Sequence, residues 1–353
     1  MYQVIITEEE AGQRLDKYLH RILPNAGSGF LYKMLRKKNI TLNDKKAGGA
    51  EKTGAGDVVK IYFADETLDK FAGARRSPVA GQANLPRVPG EYNDAYRAIK
   101  GIGILYENEH ILLADKPAGV LSQKAKKDDL SLNEWLIGYL LASGFTDAGK
   151  LSSYKPSVCN RLDRNTGGIV LCAKSLKGAQ CLGELLKTRG LHKYYQLYVK
   201  GRLEEGGQIE GVLKKDEKRN KVSVQTLSES EADDLSGRED AERGAYIKTA
   251  YRPLRIERDK TLLEVELITG KPHQIRAHLS GIGHPLLGDY KYGDRAWNDL
   301  YRKRYQVTSQ LLYAYKVVFP QMEAPFEDIS GRTFLANLPE IFRQVSDTDN
   351  HRT

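Results

Sequence analysis

The chain has 353 residues, of which 40% are hydrophobic and 29% charged, and its formal net charge is +9. This composition is typical of a folded soluble protein of about two domains, and the lack of any run of about 18 apolar residues excludes a membrane-spanning helix. The positive charge predicts a polyanionic partner, either a nucleic acid or an anionic membrane surface.

Residues 1–63 are predicted to form a first unit. A helix is expected to begin at Arg14, where apolar residues recur at helical spacing, and to be ended by Pro24; a second helix is expected from Phe30 to Lys38. Two short strands follow at residues 40–43 and 58–63, separated by a glycine-rich turn. The basic residues on or beside the polar side of the second helix are Lys33, Arg36, Lys37 and Lys38.

Residues 64–100 are rich in glycine, proline and alanine and lose the apolar periodicity, which predicts a linker. Residues 101–343 then form a second, larger unit, followed by a tail at residues 344–353. Strands outnumber helices in this unit, and most are joined by short turns. The pattern predicts an α+β fold, with helices packed on a mixed, largely antiparallel sheet and a small α/β unit before it.

Local patterns place several elements of the larger unit. Ser131 and Ser175 are positioned to cap two helices. Residues 194–199 alternate as a strand, and residues 263–267 alternate apolar side chains with glutamates, which predicts a strand with one solvent-exposed face. A short helix is expected from Pro272 to Ser280.

Residues 204–248 interrupt this pattern with a basic stretch followed by an acidic one. We interpret the region as a solvated hairpin and a loop, with a phosphate contact by the basic half as the alternative. The basic residues are Lys214, Lys215, Lys218, Arg219 and Lys221, and the acidic ones are Glu229, Glu231, Asp233, Asp234, Glu239, Asp240 and Glu242.

Residues 161–168, Arg-Leu-Asp-Arg-Asn-Thr-Gly-Gly, are the most informative octet of the chain. They place Asp163 between Arg161 and Arg164, and the apolar run at residues 169–173 predicts a buried strand directly after them. Nearby guanidinium groups favour the ionised carboxylate, which can act as a nucleophile or base on an anionic substrate. The alternative is a surface ion pair in a turn, because structural ion pairs far outnumber catalytic ones.

Three cysteines, Cys159, Cys172 and Cys181, are too few and too irregularly spaced for a disulfide framework. The histidines within residues 273–284 lack a cysteine or carboxylate that would complete a metal site. The first residues also lack the basic-then-apolar pattern of a signal peptide. We therefore expect a cytoplasmic protein that uses neither a metal nor a small-molecule cofactor.

Residues 12–63 resemble the alpha-L RNA-binding motif, the small RNA-binding domain of ribosomal protein S-four. A charge run alone would be a solvated helix face, but here the helix–helix–strand–turn–strand order accompanies it. The resemblance implies that Lys33, Arg36, Lys37 and Lys38 neutralise RNA phosphates in a salt-dependent manner. It is carried by residues 14–19 (Arg-Leu-Asp-Lys-Tyr-Leu), the basic helix at 33–38, and the strands at 40–43 and 56–59.

Residues 102–320 resemble the RluA family of pseudouridine synthases, in its RluC/RluD-like branch. The chain departs from the common pattern at Cys159-Asn160, where many members have Val-His, and at Lys271-Pro272, where Arg-Thr is common. Three motifs in family order carry the resemblance: residues 111–120, the octet 161–168, and residues 269–289, which begin Thr-Gly-Lys-Pro-His-Gln-Ile-Arg.

This second resemblance implies that the protein isomerises uridine to pseudouridine in RNA. Asp163 matches the essential aspartate, which would attack the glycosidic carbon of the sugar or abstract the neighbouring sugar proton. Arg276 matches the arginine that pairs with this aspartate, and Tyr195 matches the tyrosine that stacks on the target base. Seen alone, Arg276 would be an ordinary helix-surface arginine and Tyr195 a core tyrosine.

The target base must leave its stack before Asp163 can reach it, so base flipping is expected. Arg161, or else Arg164, would take the vacated space or hold the phosphate. Lys116 in the first motif and His273, three residues before Arg276, are further candidates for RNA contact.

We therefore predict an RNA pseudouridine synthase, an isomerase, that acts on several uridines of large-subunit (23S) ribosomal RNA. One alternative is a synthase for transfer RNA, and another is a non-catalytic ribosome-assembly factor that only binds RNA. The set Asp163, Tyr195 and Arg276 argues against the binding factor, which has no need for all three. A nucleoside glycosidase, which would release the free base, is a weaker alternative.

Overall fold

The computed structural model describes residues 1–72, 88–216, 221–226 and 245–346. Its architecture is the predicted α+β type, with a four-stranded sheet in the first unit and an 11-stranded sheet in the second. No helix within the described ranges is long and apolar enough to cross a membrane. The acidic stretch at residues 229–242, together with Lys218 and Arg219, lies outside the described residues.

The N-terminal unit packs two helices against its four-stranded sheet, around a hydrophobic cluster that includes Leu15, Tyr18 and Leu31. The second helix ends at Arg36 rather than Lys38, because Lys38 takes a left-handed backbone with φ 58°. The first and third strands were not predicted, since they are short and partly or fully exposed. The elements are β1 (Tyr2–Ile5), α1 (Leu15–Ile22), α2 (Ser28–Arg36), β2 (Ile40–Leu42), β3 (Lys45–Lys46) and β4 (Val58–Ile61).

The segment predicted as a linker, residues 64–100, contains a helix at each described end. The first is α3 (Asp65–Ala72), and its Leu68 is buried in the cluster of the N-terminal unit. The second is α4 (Gly90–Ala98), and its Ala95 is buried in the core of the large unit. Each helix therefore extends a folded unit, because its apolar side chains pack there.

The large unit is built on an 11-stranded sheet with apolar side chains on both faces. Its strands are β5 (Gly103–Glu107), β6 (Ile111–Lys116), β7 (Ser157–Val158), β8 (Gly167–Ala173), β9 (His192–Lys200), β10 (Gly207–Asp216), β11 (Lys221–Thr226), β12 (Ala245–Ile256), β13 (Lys260–Leu267), β14 (Leu312–Val318) and β15 (Thr333–Leu335).

The spatial order of this sheet is β11-β10-β12-β13-β9-β14-β8-β6-β5, with β7 paired to β8 and β15 paired to β14. Strands β14 and β8 are parallel, and the other described pairs are antiparallel, as expected for a largely antiparallel sheet. Every residue of β8 is buried, which confirms the strand predicted after the octet. Alternate residues of β8 face two hydrophobic clusters on opposite faces.

Helices cover the sheet, and both predicted serine caps are present. Ser131 Oγ accepts the N–H of Asn133 at 3.3 Å, and Ser175 Oγ accepts the N–H of Gly178 at 3.1 Å. The helices are α5 (Leu132–Ala142), α6 (Ala148–Ser153), α7 (Leu176–Lys187), α8 (Gln274–Gly281), α9 (Arg295–Tyr305) and α10 (Ile341–Gln344).

Two predictions for this unit need correction. The polar side of β13 is not solvent-exposed along its length, because Glu264 is buried and forms ion pairs with Arg252 and Lys316. The tail does not begin at residue 344 either, since Val345 and Ser346 are buried against the body of the unit.

Candidate active site

A cavity of about 1030 Å³ opens where the loop between β7 and β8, the start of β9 and the segment between β13 and α8 come together. Among the described residues, Asp163 is the only carboxylate in its lining. Eight basic side chains line the same space, namely Lys124, Arg161, Arg164, Lys187, Arg189, Lys193, Lys271 and Arg276. This excess of positive charge suits a polyanionic ligand.

The loop that carries Asp163 is fixed to its surroundings on both sides. The N–H of buried Leu162 donates to Ser122 Oγ at 3.0 Å, and the Ser122 hydroxyl donates to the Leu162 carbonyl at 2.9 Å. Asn160 Oδ1 accepts the N–H of Leu171 in β8 at 2.7 Å. Asp163 is thereby held in place, with 28% of its side chain exposed to the cavity.

The glycine pair at the end of the octet allows close packing next to this loop. Gly168 has φ +110°, and a Cβ at this position would lie 2.2 Å from the Ala314 carbonyl oxygen in β14. A Cβ on Gly167 would meet the Tyr313 ring at 2.6 Å. The octet therefore needs glycine where β8 begins to run beside β14.

Arg276 on α8 connects two carboxylates. Its Nε and Nη2 donate to Asp289 Oδ2 and Oδ1 at 2.7 and 2.9 Å, and its Nη1 donates to Asp163 Oδ2 at 2.9 Å. Arg276 is only 7% exposed, and Asp289 is fully buried. Burial opposes the charge of Arg276, but the hydrogen bonds and charges of both aspartates raise its pKa overall.

His273 and Tyr292 form a second arm next to Asp163. His273 Nε2 is 3.9 Å from Asp163 Oδ2, and its Nδ1 is 2.9 Å from the Tyr292 hydroxyl. The Tyr292 ring also lies under the Arg276 guanidinium, 5.1 Å from its Cζ. His273 is the residue before α8 and has φ 58°, so the helix begins at Gln274 rather than Pro272. Burial lowers the pKa of His273.

Tyr195 lines the same cavity from β9 and is 5% exposed. Burial, together with the charge of Asp163, raises its pKa. Tyr194 points away from the cavity, as strand alternation predicts, and its ring lies 3.9 Å from Lys316 Nζ. The structure therefore brings Asp163, Arg276 and Tyr195 to one cavity, as the sequence predicts.

The two arginines of the octet lie at the cavity but have no fixed partner. Arg161 and Arg164 are exposed and form no side-chain hydrogen bond or ion pair with any described residue. Neither arginine pairs with Asp163. Among the basic side chains of the octet and α8, only Arg276 forms an ion pair with this carboxylate.

The prediction that Lys116 contacts RNA is wrong. Lys116 is fully buried, and its Nζ donates to the carbonyl oxygens of Pro117, Val120 and Arg164 at 3.1, 2.8 and 3.2 Å. Burial lowers its pKa to about 8, although the charges of Asp163 and Asp115 oppose this shift. Lys116 therefore braces the turn after β6 against the Asp163 loop.

The predicted RNA-binding residues of the N-terminal unit are all at the surface. They lie at the end of α2 and form no ion pair with the described residues. They are Lys33, Arg36, Lys37 and Lys38.

Sequence reasoning missed the roles of Asp289, Tyr292 and Lys193. Asp289 is the last residue of the third motif and Tyr292 follows it, but nothing in their spacing indicates that they hold Arg276 and His273. The available signal was indirect, because a buried guanidinium that reaches one carboxylate still needs hydrogen-bond partners for its remaining N–H donors. Lys193 carries a signal of its own, since it stands two residues before Tyr195 and shares its face of β9.

No group of three His, Cys, Asp or Glu side chains that could hold a metal ion occurs in the described part of the chain. The three cysteines are free thiols. Burial raises the pKa of Cys159, which lines the cavity, to about 12. These groups therefore offer no reactive thiolate next to Asp163.

Comparison with known proteins gives a consistent result. Residues 110–281 match the family model described as RNA pseudouridylate synthase. The chain is 29% identical over 320 residues to an uncharacterized RNA pseudouridine synthase of Mycoplasma genitalium, covering 90% of this chain and 89% of that protein. It is 27% identical over 301 residues to the ribosomal large subunit pseudouridine synthase C of Escherichia coli, covering 84% and 81%.

Among solved structures, the human RNA pseudouridylate synthase domain containing 4 is similar, with a TM-score of 0.53 at 22% identity. It covers 72% of this chain and 94% of its own, and at this identity the likeness shows the fold. Residues 110–281 therefore match the RNA pseudouridylate synthase family, and the chain is similar over most of its length to proteins named as RNA pseudouridine synthases, which is consistent with an isomerase.

Proposed function

We propose that this protein converts uridines of large-subunit ribosomal RNA to pseudouridine and that Asp163 carries the reaction. One observation supports this most strongly: Asp163 is held at 2.9 Å by Arg276 in a cavity whose other charged lining residues are basic. A basic cleft attracts the RNA backbone, and a carboxylate held in a fixed geometry can act on the ribose.

The two oxygens of Asp163 have different surroundings. Oδ2 accepts the hydrogen bond from Arg276 and faces His273, whereas Oδ1 has no hydrogen-bond partner among the described residues. We assign the reaction to Oδ1 because it is the oxygen free to approach the sugar.

Two routes then lead from uridine to pseudouridine. In the first, Oδ1 attacks C1′ and the electron pair of the C1′–N1 bond leaves with the uracil. In the second, Oδ1 takes the C2′ proton, and the base leaves as a double bond forms between C1′ and C2′. In both, the base turns, C5 bonds to C1′, and Asp163 is released or returns its proton. The C5 proton is then lost and N1 gains one.

Tyr195 supports the base during this exchange. Its ring lines the cavity beside Asp163, where it can stack on uracil. Its raised pKa keeps the phenol protonated at neutral pH. An uncharged ring does not repel the uracil anion that leaves C1′, whereas a phenolate would.

The RNA contacts follow from the cations without partners. A paired uridine must leave its stack, which costs a few kcal/mol, and Arg161 fills the vacated space or holds the adjacent phosphate. Arg164 extends the same basic rim. The N-terminal unit at residues 1–63 binds further phosphates of the RNA through Lys33, Arg36, Lys37 and Lys38. The relatives named as large-subunit synthases support ribosomal RNA as the substrate.

The proposal is tested by mapping pseudouridine in ribosomal and transfer RNA from cells with and without this protein. We expect specific sites in large-subunit RNA to disappear when it is absent. Asp128→Asn should restore them and Asp163→Asn should not, since Asp128 is an exposed carboxylate outside the cavity. Sites lost only from transfer RNA would contradict the substrate, and an unchanged map would favour a non-catalytic RNA-binding factor.

A further inference from the structure

Lys193 lies in the cavity, and the reaction described above gives it no task. It stands on β9 two residues before Tyr195, so both side chains extend from the same face of the strand. Both residues line the cavity. The side chain of Lys193 is half-buried, and burial lowers its pKa.

Other buried lysines of the large unit have partners within the protein. Lys174 pairs with Glu107 at 2.5 Å, and Lys260 pairs with Glu257 at 2.8 Å. Lys116 donates to three backbone carbonyls. Lys193 differs, because its ammonium has no hydrogen bond or ion pair with any residue that the structure describes.

An ammonium group partly withdrawn from water without a counter-charge is unfavourable, and an anionic ligand would remove this cost. We infer that Lys193 binds a phosphodiester group of the RNA inside the cavity, at the flipped nucleotide or its immediate neighbour. The inference rests on the proposed RNA substrate and adds a phosphate subsite to it.

The surroundings of Lys193 favour this ligand. Gly270 leaves space next to the ammonium, since a Cβ built there would lie 3.8 Å from Lys193 Nζ. Lys187 and Arg189 line the same cavity and add positive charge.

The first test separates a ligand site from a structural lysine. Lys193→Met removes the charge but keeps a side chain of similar length, and Lys177→Met on the exposed surface of α7 is the matched control. We expect the midpoint of urea unfolding of Lys193→Met to equal or exceed that of the wild type. A clearly lower midpoint than for Lys177→Met would mean that a partner within the chain holds Lys193, which would overturn the inference.

The second test measures binding of a short single-stranded oligouridylate whose phosphates are replaced one at a time by neutral methylphosphonate. At one position we expect replacement to weaken wild-type binding about tenfold, as for a charge-assisted hydrogen bond. Replacement of that same phosphate should not further weaken binding by Lys193→Met. The slope of log affinity against log salt should also become shallower by about 0.7, the effect of one phosphate on single-stranded RNA. Lys193→Arg should retain most of the binding.

The inference would be overturned if the losses from phosphate replacement and from Lys193→Met were additive at every position. It would also be overturned if Lys193→Met had the same salt slope as the wild type. These measurements use binding alone, so their outcome does not depend on turnover. If the protein modified no uridine, the proposed reaction would fail while the phosphate site could still be observed. If the isomerase were active but no phosphate coupled to Lys193, only the subsite would fail.

Discussion

Arg276 and Arg161 border the same cavity, yet their surroundings are opposite. Arg276 is 7% exposed and its guanidinium is shared between Asp289 and Asp163. Arg161 is exposed and has no partner among the described residues. The same type of charge therefore serves two purposes, because a paired cation fixes geometry and an unpaired one remains available to a polyanion.

The same division separates the other cations of the site. Lys116 is buried and bonded to three carbonyls, so, like Arg276, it holds the site in place. Arg164 and Lys193 belong with Arg161, since each lines the cavity and its side chain forms no hydrogen bond or ion pair with a described residue. Substitutions should therefore affect stability and turnover in the first group, and RNA binding in the second.

Removal of Arg276 should have the largest effect of these substitutions. Arg276→Met leaves Asp289 buried without its counter-charge, which should lower the free energy of unfolding by about 3–5 kcal/mol. It also releases Asp163, so turnover should fall by about 10³-fold. Urea unfolding and single-turnover pseudouridine formation measure the two effects. An active and stable variant would show that Arg276 does not organise the site.

Asp289→Asn should slow turnover without changing RNA affinity. The amide can no longer hold the Arg276 fork, so Asp163 loses its fixed orientation, and we expect kcat to fall by about 100-fold. Asp299→Asn is the matched control, because Asp299 bonds the surface Tyr290 instead. A rise in KM with unchanged kcat would mean that Asp289 acts on RNA binding.

Acid should destabilise the folded protein through His278 on α8, the helix that also carries Arg276. His278 is 1% exposed, and burial lowers its pKa to about 4. The unfolded chain takes up this proton near pH 6.5, so the free energy of unfolding should fall between pH 6.5 and 4 by up to about 3 kcal/mol. Urea unfolding across this range should show a flatter dependence for His278→Gln. Parallel curves for both proteins would assign the acid sensitivity elsewhere.

Arg161→Ala should affect RNA binding and leave the fold intact. We expect affinity to fall about tenfold and the salt slope to become shallower by about 0.7, the effect of one phosphate. The midpoint of unfolding should not change, because Arg161 has no partner to lose among the residues that the structure describes. A lowered midpoint with an unchanged salt slope would mean that Arg161, like Arg276, stabilises the fold and does not bind an RNA phosphate.

Local patterns predicted much of the fold because they depend on neighbouring residues. The apolar run after the octet is the buried strand β8, and Ser131 and Ser175 cap helices as expected. Contacts between distant segments were not predictable in this way. Glu264 was expected at a solvent-exposed face, but Arg252 and Lys316 from neighbouring strands pair with it.

The residues of the candidate site were likewise only partly predictable from the sequence. The family resemblance predicted that Asp163, Arg276 and Tyr195 act at one site, and the structure brings all three to one cavity. The burial of Lys116 could not be predicted, because three carbonyls supplied by folded turns satisfy its ammonium. The role of Asp289 also depends on tertiary packing, since it comes from the segment after α8.

We propose above all that Asp163 carries the isomerisation while Arg276 holds it in a fixed orientation. The most direct test compares Asp163→Asn with the wild type on RNA that the wild type modifies, measuring RNA affinity and the rate of pseudouridine formation under single-turnover conditions. We expect an affinity within a few-fold of the wild type and no detectable pseudouridine. An Asp163→Asn protein that forms pseudouridine at the wild-type rate would contradict it.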